Sequence, residues 1–153
     1  MAFWQSNNRR SKLLLNYSLL TLLKFAFTDL KKMDLLNSKR IIFETLQEAG
    51  DNIRRIESDD YNINTKSDKS PVTDADLISG SIIRNMLSDN FHNIPVLSEE
   101  QSLSPASIDK PSLFWLLDPL DGTKEFIKGN GEYCISLALI DEGRPVEAYI
   151  YAP

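Results

Sequence analysis

The stretch Phe114-Trp115-Leu116-Leu117-Asp118-Pro119-Leu120-Asp121-Gly122-Thr123 decides how this chain is read. Leu113 to Leu117 is an apolar run with the length of a buried strand. Asp118 stands at its end, where a side chain can leave the core. Pro119 has no N–H and a fixed φ, which predicts that the strand stops and turns there. Asp121 follows three residues on, close enough to face the same site. Gly122 allows close backbone approach. Thr123 opens a predicted short helix through Lys124, Glu125 and Phe126, whose first N–H groups suit a phosphate. Two carboxylates with exposed carbonyls are hard oxygen donors, which favour Mg²⁺ or Mn²⁺ over zinc. A bare Asp-Pro-x-Asp-Gly is equally the composition of a solvated turn, so the flanking sequence has to decide.

Upstream, Ile41, Ile42, Leu46, Ala49, Ile53 and Ile56 recur at helical spacing, with Ser38 as a plausible cap. Tyr61 to Thr65 reads as extended, and Ser67-Asp68-Lys69-Ser70-Pro71 as loop. Thr73 can cap a second helix running through Leu77, Ile82, Ile83 and Leu87. Ile94 to Leu97 reads as a short strand ending at Ser98-Glu99-Glu100, followed by a Ser/Pro-rich loop over 101–111. Downstream, Tyr133 to Ile140 and Pro145 to Tyr151 are β-rich runs joined by Asp141-Glu142-Gly143, a hairpin signal. The second of these runs leaves a strand edge that another segment or chain should cover. Helices and strands are therefore mixed, with no internal repeat. The fold class expected is α+β.

Composition narrows the chemistry. A net charge of -5 over 153 residues argues against a general nucleic-acid binder, which needs a cationic surface. One cysteine, Cys134, excludes an internal disulfide and a Cys-rich zinc site. It reads as a small buried strand residue. One histidine, His92, leaves little room for a His-based triad and reads as a loop residue without a catalytic role. Any chemistry here has to be carried by carboxylates.

Residues 1–32 differ from the rest. Arg9, Arg10 and Lys12 precede an apolar run from Leu13 to Phe27 that Asn16, Ser18, Thr21 and Lys24 interrupt. The run is too short and too broken for a membrane span, and no small-residue cleavage site follows it. Three readings stay open: an extension ahead of a second start at Met33, a surface amphipathic helix, or a secretion signal. The expected location is cytoplasmic, with the amphipathic reading adding a peripheral contact at the inner face of the cell membrane.

Trp115, Asp118, Pro119, Asp121, Gly122, Thr123 and Phe126 match the W-x-x-D-P-x-D-G-T-x-x-F signature of the inositol monophosphatase superfamily. Pro71-Val72-Thr73-Asp74-Ala75-Asp76 resembles the family's P-V-T-x-x-D segment, and Val96-Leu97-Ser98-Glu99-Glu100 its short strand ending in a Glu pair. Both stand upstream in the family's order. The resemblance runs from about Ser38 to Pro153. Lys124-Glu125-Phe126-Ile127 and Asn130-Gly131-Glu132 are similar to the branch of CysQ-type 3'(2'),5'-bisphosphate nucleotidases.

The resemblance implies a layered α/β sandwich of the inositol monophosphatase and fructose-bisphosphatase type, with a largely antiparallel sheet in its N-terminal half. It implies that 33–153 is the N-terminal, metal-binding part of a Mg-dependent phosphatase domain, with residues 1–32 an extension. Glu99 and Asp118 would hold one metal with the main-chain oxygen of Leu120, and Asp118 and Asp121 would share a second. Thr123 and Asp76 would orient and deprotonate a water, with Glu99 also in the catalytic set. Glu99, Leu120, Asp121, Gly122 and Thr123 would face the substrate, the Gly122 and Thr123 N–H groups binding its phosphate. The implied substrate is a small phosphorylated molecule, adenosine 3',5'-bisphosphate, with an inositol or sugar phosphate as alternative. The family also takes an Asp for the second metal from a W-D-x-A-like motif in its C-terminal half. No W-D-x-A occurs in this sequence. A weakened second metal site is therefore expected, with the missing half a possible separate chain and a non-catalytic remnant as the third alternative.

Overall fold

The computed structural model describes residues 34–66, 68–98, 100 and 111–153. Residues 1–32 and Glu99, with the expectations attached to them, lie outside these. The chain divides at Arg40/Ile41 into two units. Residues 34–40, from the first unit, are helical and mostly exposed. Ser38 is not a cap, because the helix already runs at 34 and the Ser38 hydroxyl bonds back to the Asp34 carbonyl at 2.9 Å.

In the second unit, helix α1 (34–57) continues from residue 41 and buries Ile42, Leu46, Ala49 and Ile53, which the 3.6-residue repeat sets on one face. Strands β1 (Ile63–Thr65) and β2 (Pro71–Thr73) form an antiparallel hairpin that leads into helix α2 (Asp74–Asn90). Thr73 caps α2 as expected. Helix α2 buries Ala75, Asp76, Ser79, Gly80, Ile83, Met86 and Leu87. Leu77, placed by periodicity on the apolar stripe, is exposed. The buried stripe is polar at its start because that end of the helix abuts the candidate site.

Strands β3 (Val96–Ser98), β4 (Leu113–Asp121), β5 (Cys134–Asp141) and β6 (Arg144–Tyr151) form one sheet in that order, with short helix α3 (Thr123–Lys128) between β4 and β5. Strand β3 runs parallel to β4, and the other pairs are antiparallel. The sheet is thus largely antiparallel and the architecture α+β, with helices against one sheet face. That face carries Trp115, Leu117, Ile135 and Leu137, which share a core with the α1 and α2 residues above. On the other face Leu116 and Ile150 are exposed. The β5–β6 turn places Glu142 and Gly143 at φ 48° and 75°, the two positive angles of a tight hairpin turn.

Pro119 does not end β4. The strand continues through it to Asp121, because Asp118 pairs with Ser136 while Asp121 pairs with Cys134. Three steps along β4 match two along β5, which is a β-bulge. A bulge tolerates proline, since the residue there need not donate to the ladder.

Between α3 and β5, Tyr133 is buried, and its hydroxyl donates to Glu57 Oε2 at 2.7 Å. Burial, and then the Glu57 carboxylate, push the phenol up from 10.0 to about 12. Below pH 10 the phenol is neutral in both folded and unfolded chains. Above it the unfolded chain ionises first, so this contribution to stability is lost as pH rises through the folded value. Tyr133→Phe is expected to flatten the fall of the unfolding midpoint between about pH 10 and 12, read by circular dichroism melts across that range. An unchanged slope would contradict it.

Candidate active site

The bulge explains how two aspartates three residues apart can serve one site. In a regular strand, residues at i and i+3 face opposite sides. Here the cross-strand partners of Asp118 and Asp121 are Ser136 and Cys134, two residues apart on β5 and therefore on one face. Asp118 and Asp121 accordingly share that face, while Pro119 and Leu120 are buried between them. Asp118 is half-buried, and its Oδ1 accepts the Leu120 N–H at 3.2 Å, while Asp121 is exposed. Cys134 is half-buried on this same face rather than in the core, because β5 alternates and sends Ile135 and Leu137 to the core.

Asp76 arrives from α2. It is fully buried and both of its oxygens are engaged. Oδ2 accepts the Thr73 N–H at 2.7 Å and the Thr73 hydroxyl at 2.6 Å. Oδ1 accepts the Thr123 hydroxyl at 2.9 Å, across 47 residues of sequence. The Leu120 carbonyl also lies 3.2 Å from the Thr123 hydroxyl. A hydroxyl has one proton, and the shorter contact, to a carboxylate, is the stronger acceptor. With Thr123 pointed at Asp76, its proton is not on the Leu120 carbonyl oxygen.

Gly122 is the N-cap of α3 at φ 99°, a conformation that side chains resist. A Cβ there would lie 2.8 Å from the Glu132 carbonyl oxygen and 3.2 Å from Tyr133 Cα. Both penalties fall on rigid backbone. Gly122→Ala is expected to cost about 2 kcal/mol or more, a fall in thermal midpoint of roughly 8 °C. A melt within two degrees of wild type would contradict that account.

The structure thus brings Asp76 to Thr123 and sets Asp118, Leu120, Asp121 and Gly122 along the adjoining strand end. Among the described residues, no three His, Cys, Asp or Glu side chains converge as a metal cage. Lys124 is exposed, and Lys128 rather than Lys124 pairs with Glu125, at 3.2 Å. His92 is exposed, with its Nδ1 at the Ser88 carbonyl, consistent with a loop role. Sequence reasoning missed Ser79, fully buried on α2, whose hydroxyl reaches the Pro119 carbonyl at 3.0 Å. A lone serine inside a helix carries no local signal of such a contact.

Known proteins resemble this chain in sequence and in fold. The model of the inositol monophosphatase family matches residues 34–153. The 3'(2'),5'-bisphosphate nucleotidase CysQ of Escherichia coli K12 is 40% identical over 114 residues, covering 73% of this chain and 46% of that protein. The chain thus spans about half the length of the curated relatives it matches. Among solved structures, CysQ from Bacteroides thetaiotaomicron superposes with a TM-score of 0.62 at 36% identity, over 76% of this chain and 42% of its own. A structure titled as an IMPase/NADP phosphatase complexed with Mg²⁺ and phosphate gives a TM-score of 0.65 at 28% identity, over 77% and 44% of the two chains. The bulged Asp-Pro-Leu-Asp-Gly-Thr strand end, the Asp76–Thr123 bond and the match from residue 34 to Pro153 lead to one assignment: the chain belongs to the inositol monophosphatase family.

Proposed function

We propose that this chain carries the metal- and phosphate-binding part of a Mg²⁺-dependent phosphomonoesterase that hydrolyses the 3'-phosphate of adenosine 3',5'-bisphosphate to AMP and phosphate. The observation that carries the reading is the Thr123–Asp76 hydrogen bond beside two aspartates on one sheet face. The substrate follows from the CysQ relatives and from the Gly-Thr-Lys-Glu-Phe sequence at 122–126.

The donor set fits magnesium. Asp118 and Asp121 offer carboxylate oxygens and Leu120 a carbonyl oxygen, all hard donors, and Glu99 completes the set in this reading. A metal bound there polarises phosphoryl oxygens and makes a bound water more acidic. The chain's own residues do the rest. The Thr123 hydroxyl donates a hydrogen bond to Asp76 Oδ1, so its lone pairs can take a proton from the attacking water while its own proton passes to Asp76. The water oxygen then bonds to phosphorus as the P–O bond to the 3'-oxygen breaks. Asp76 is held for this by Thr73, which fixes Oδ2 and leaves Oδ1 to Thr123. The Gly122 and Thr123 N–H groups bind the phosphate, and the exposed Asp121 faces the substrate. Placement of 33–153 as the N-terminal part of such a domain belongs to the same proposal.

An inositol or sugar phosphate is the second reading, because the family model carries that name. Phosphate release measured side by side from adenosine 3',5'-bisphosphate and inositol 1-phosphate separates them. The nucleotide is expected to be turned over faster, and a preference for the inositol phosphate would overturn the assignment. Residues 1–32, proposed as an extension, are tested by deletion. Among the described residues no helix is long and apolar enough to cross a membrane.

A further inference from the structure

The aspartate arrangement depends on a bulge, and a bulge has to be held. Pro119 and Leu120 have no partner on β5, since the pairing jumps from Asp118↔Ser136 to Asp121↔Cys134. A buried carbonyl at such an irregularity is well served by a donor held in a fixed position. Ser79 supplies it from α2, 40 residues away in sequence, at 3.0 Å. Its hydroxyl also lies 2.7 Å from the Ala75 carbonyl and 3.2 Å from the Asp76 carbonyl. All three neighbours are acceptors and the hydroxyl has one proton. The Ala75 and Asp76 carbonyls stand where the helical ladder supplies N–H groups from residues 79 and 80, so the Pro119 carbonyl is the one acceptor of the three that lies outside the helix.

The fit next to this contact is close. Gly80 faces Pro119, and a Cβ on it would sit 3.4 Å from Pro119 Cβ and Cγ. Helix α2 therefore presses its small residues onto the bulge. The same helix begins with Asp76, which fixes Thr123 just beyond the bulge. One rigid element thus holds the strand end at Pro119 and at Thr123, with Asp121 between them.

We infer that Ser79 is a positioning residue: by donating to the Pro119 carbonyl it holds the bulge that sets Asp118 and Asp121 on one face for metal. This rests on the metal reading proposed above. Three variants test it, Ser79→Ala, Ser79→Thr and Thr45→Ala. The last removes a hydroxyl that is bonded only to the Ile41 carbonyl within α1, far in sequence from the bulge. Mn²⁺ alone is the probe, its binding read by loss of the free-ion electron paramagnetic resonance signal. Amide exchange at 120–122 in the metal-free chain is the second readout.

Ser79→Ala is expected to bind Mn²⁺ about tenfold more weakly and to exchange those amides about tenfold faster, the scale of one lost hydrogen bond. Ser79→Thr, which keeps the hydroxyl, is expected to stay within about threefold of wild type, and Thr45→Ala to match it. If the extra methyl of threonine unsettles the core, Ser79→Cys, a weaker donor, should fall between wild type and alanine. Unchanged exchange and unchanged Mn²⁺ binding in Ser79→Ala would overturn the role of Ser79 alone. Equal losses in Thr45→Ala would overturn it too, as general destabilisation. A wild-type chain that binds no Mn²⁺ would instead overturn the metal reading, and the metal-positioning role with it, even where amide exchange still reports the bulge.

Discussion

Asp118→Asn is expected to abolish divalent-metal binding while leaving the fold in place. Asparagine keeps the side-chain oxygen that accepts the Leu120 N–H at 3.2 Å, so the turn at the strand end retains its bond. What it loses is the negative charge common to both proposed metal positions. Altering only an outer partner of a metal ligand commonly costs 10–100-fold in affinity, and loss of a shared ligand should exceed about 100-fold on that scale. Isothermal titration of Mg²⁺ or Mn²⁺ into wild type and variant reads the difference, with thermal melts as the check on folding. Affinity within threefold of wild type would remove Asp118 from the site.

The second large effect is on the proton path. Asp76→Asn replaces an oxygen pair that accepts three hydrogen bonds with one oxygen and one NH₂ donor. If the amide oxygen stays on Thr73, the NH₂ group faces Thr123 and turns its hydroxyl away, towards the Leu120 carbonyl. Thr123 can then no longer pass a proton to residue 76. Phosphate release is expected to fall by a factor of about 10²–10⁴, the usual worth of a positioned general base. Metal affinity should change by no more than a few-fold, because residue 76 is not among the proposed ligands. Activity within threefold of wild type would contradict the pairing. Equal losses of metal binding and activity would make Asp76 a support for the ligands instead.

Much of this was legible in the sequence for physical reasons that act locally. The apolar run before Asp118, the Thr73 cap and the Glu142-Gly143 turn are each set by neighbours within a few residues, and each stands in the structure as expected. Asp118 and Asp121 were legible from their place at the end of an apolar strand, whereas the pairing of Asp76 with Thr123 was implied by the family resemblance alone. The errors lie where distant pairing overrides local preference. Pro119 reads as a strand stop, and only its pairing with β5 reveals a bulge that accommodates it. Leu77 follows the apolar period of α2, yet that end of the helix buries Asp76 and Ser79 against the strand end and leaves Leu77 exposed. Cys134 reads as a core residue until Ile135 and Leu137 are known to face the core, which puts Cys134 on the other side of β5. Ser79 could not be found at all, because its partner is 40 residues away.

We propose that this strand end, its bulge and the buried Asp76–Thr123 pair belong to a metal-dependent phosphatase of 3'-phosphorylated adenosine nucleotides. The most direct measurement is inorganic phosphate released from adenosine 3',5'-bisphosphate by the purified chain, with Mg²⁺ and after chelation by EDTA, with Asp118→Asn as the blank. Release is expected to require Mg²⁺, to stop with EDTA and to be absent from Asp118→Asn. No release under any condition, or equal release from Asp118→Asn, would contradict it.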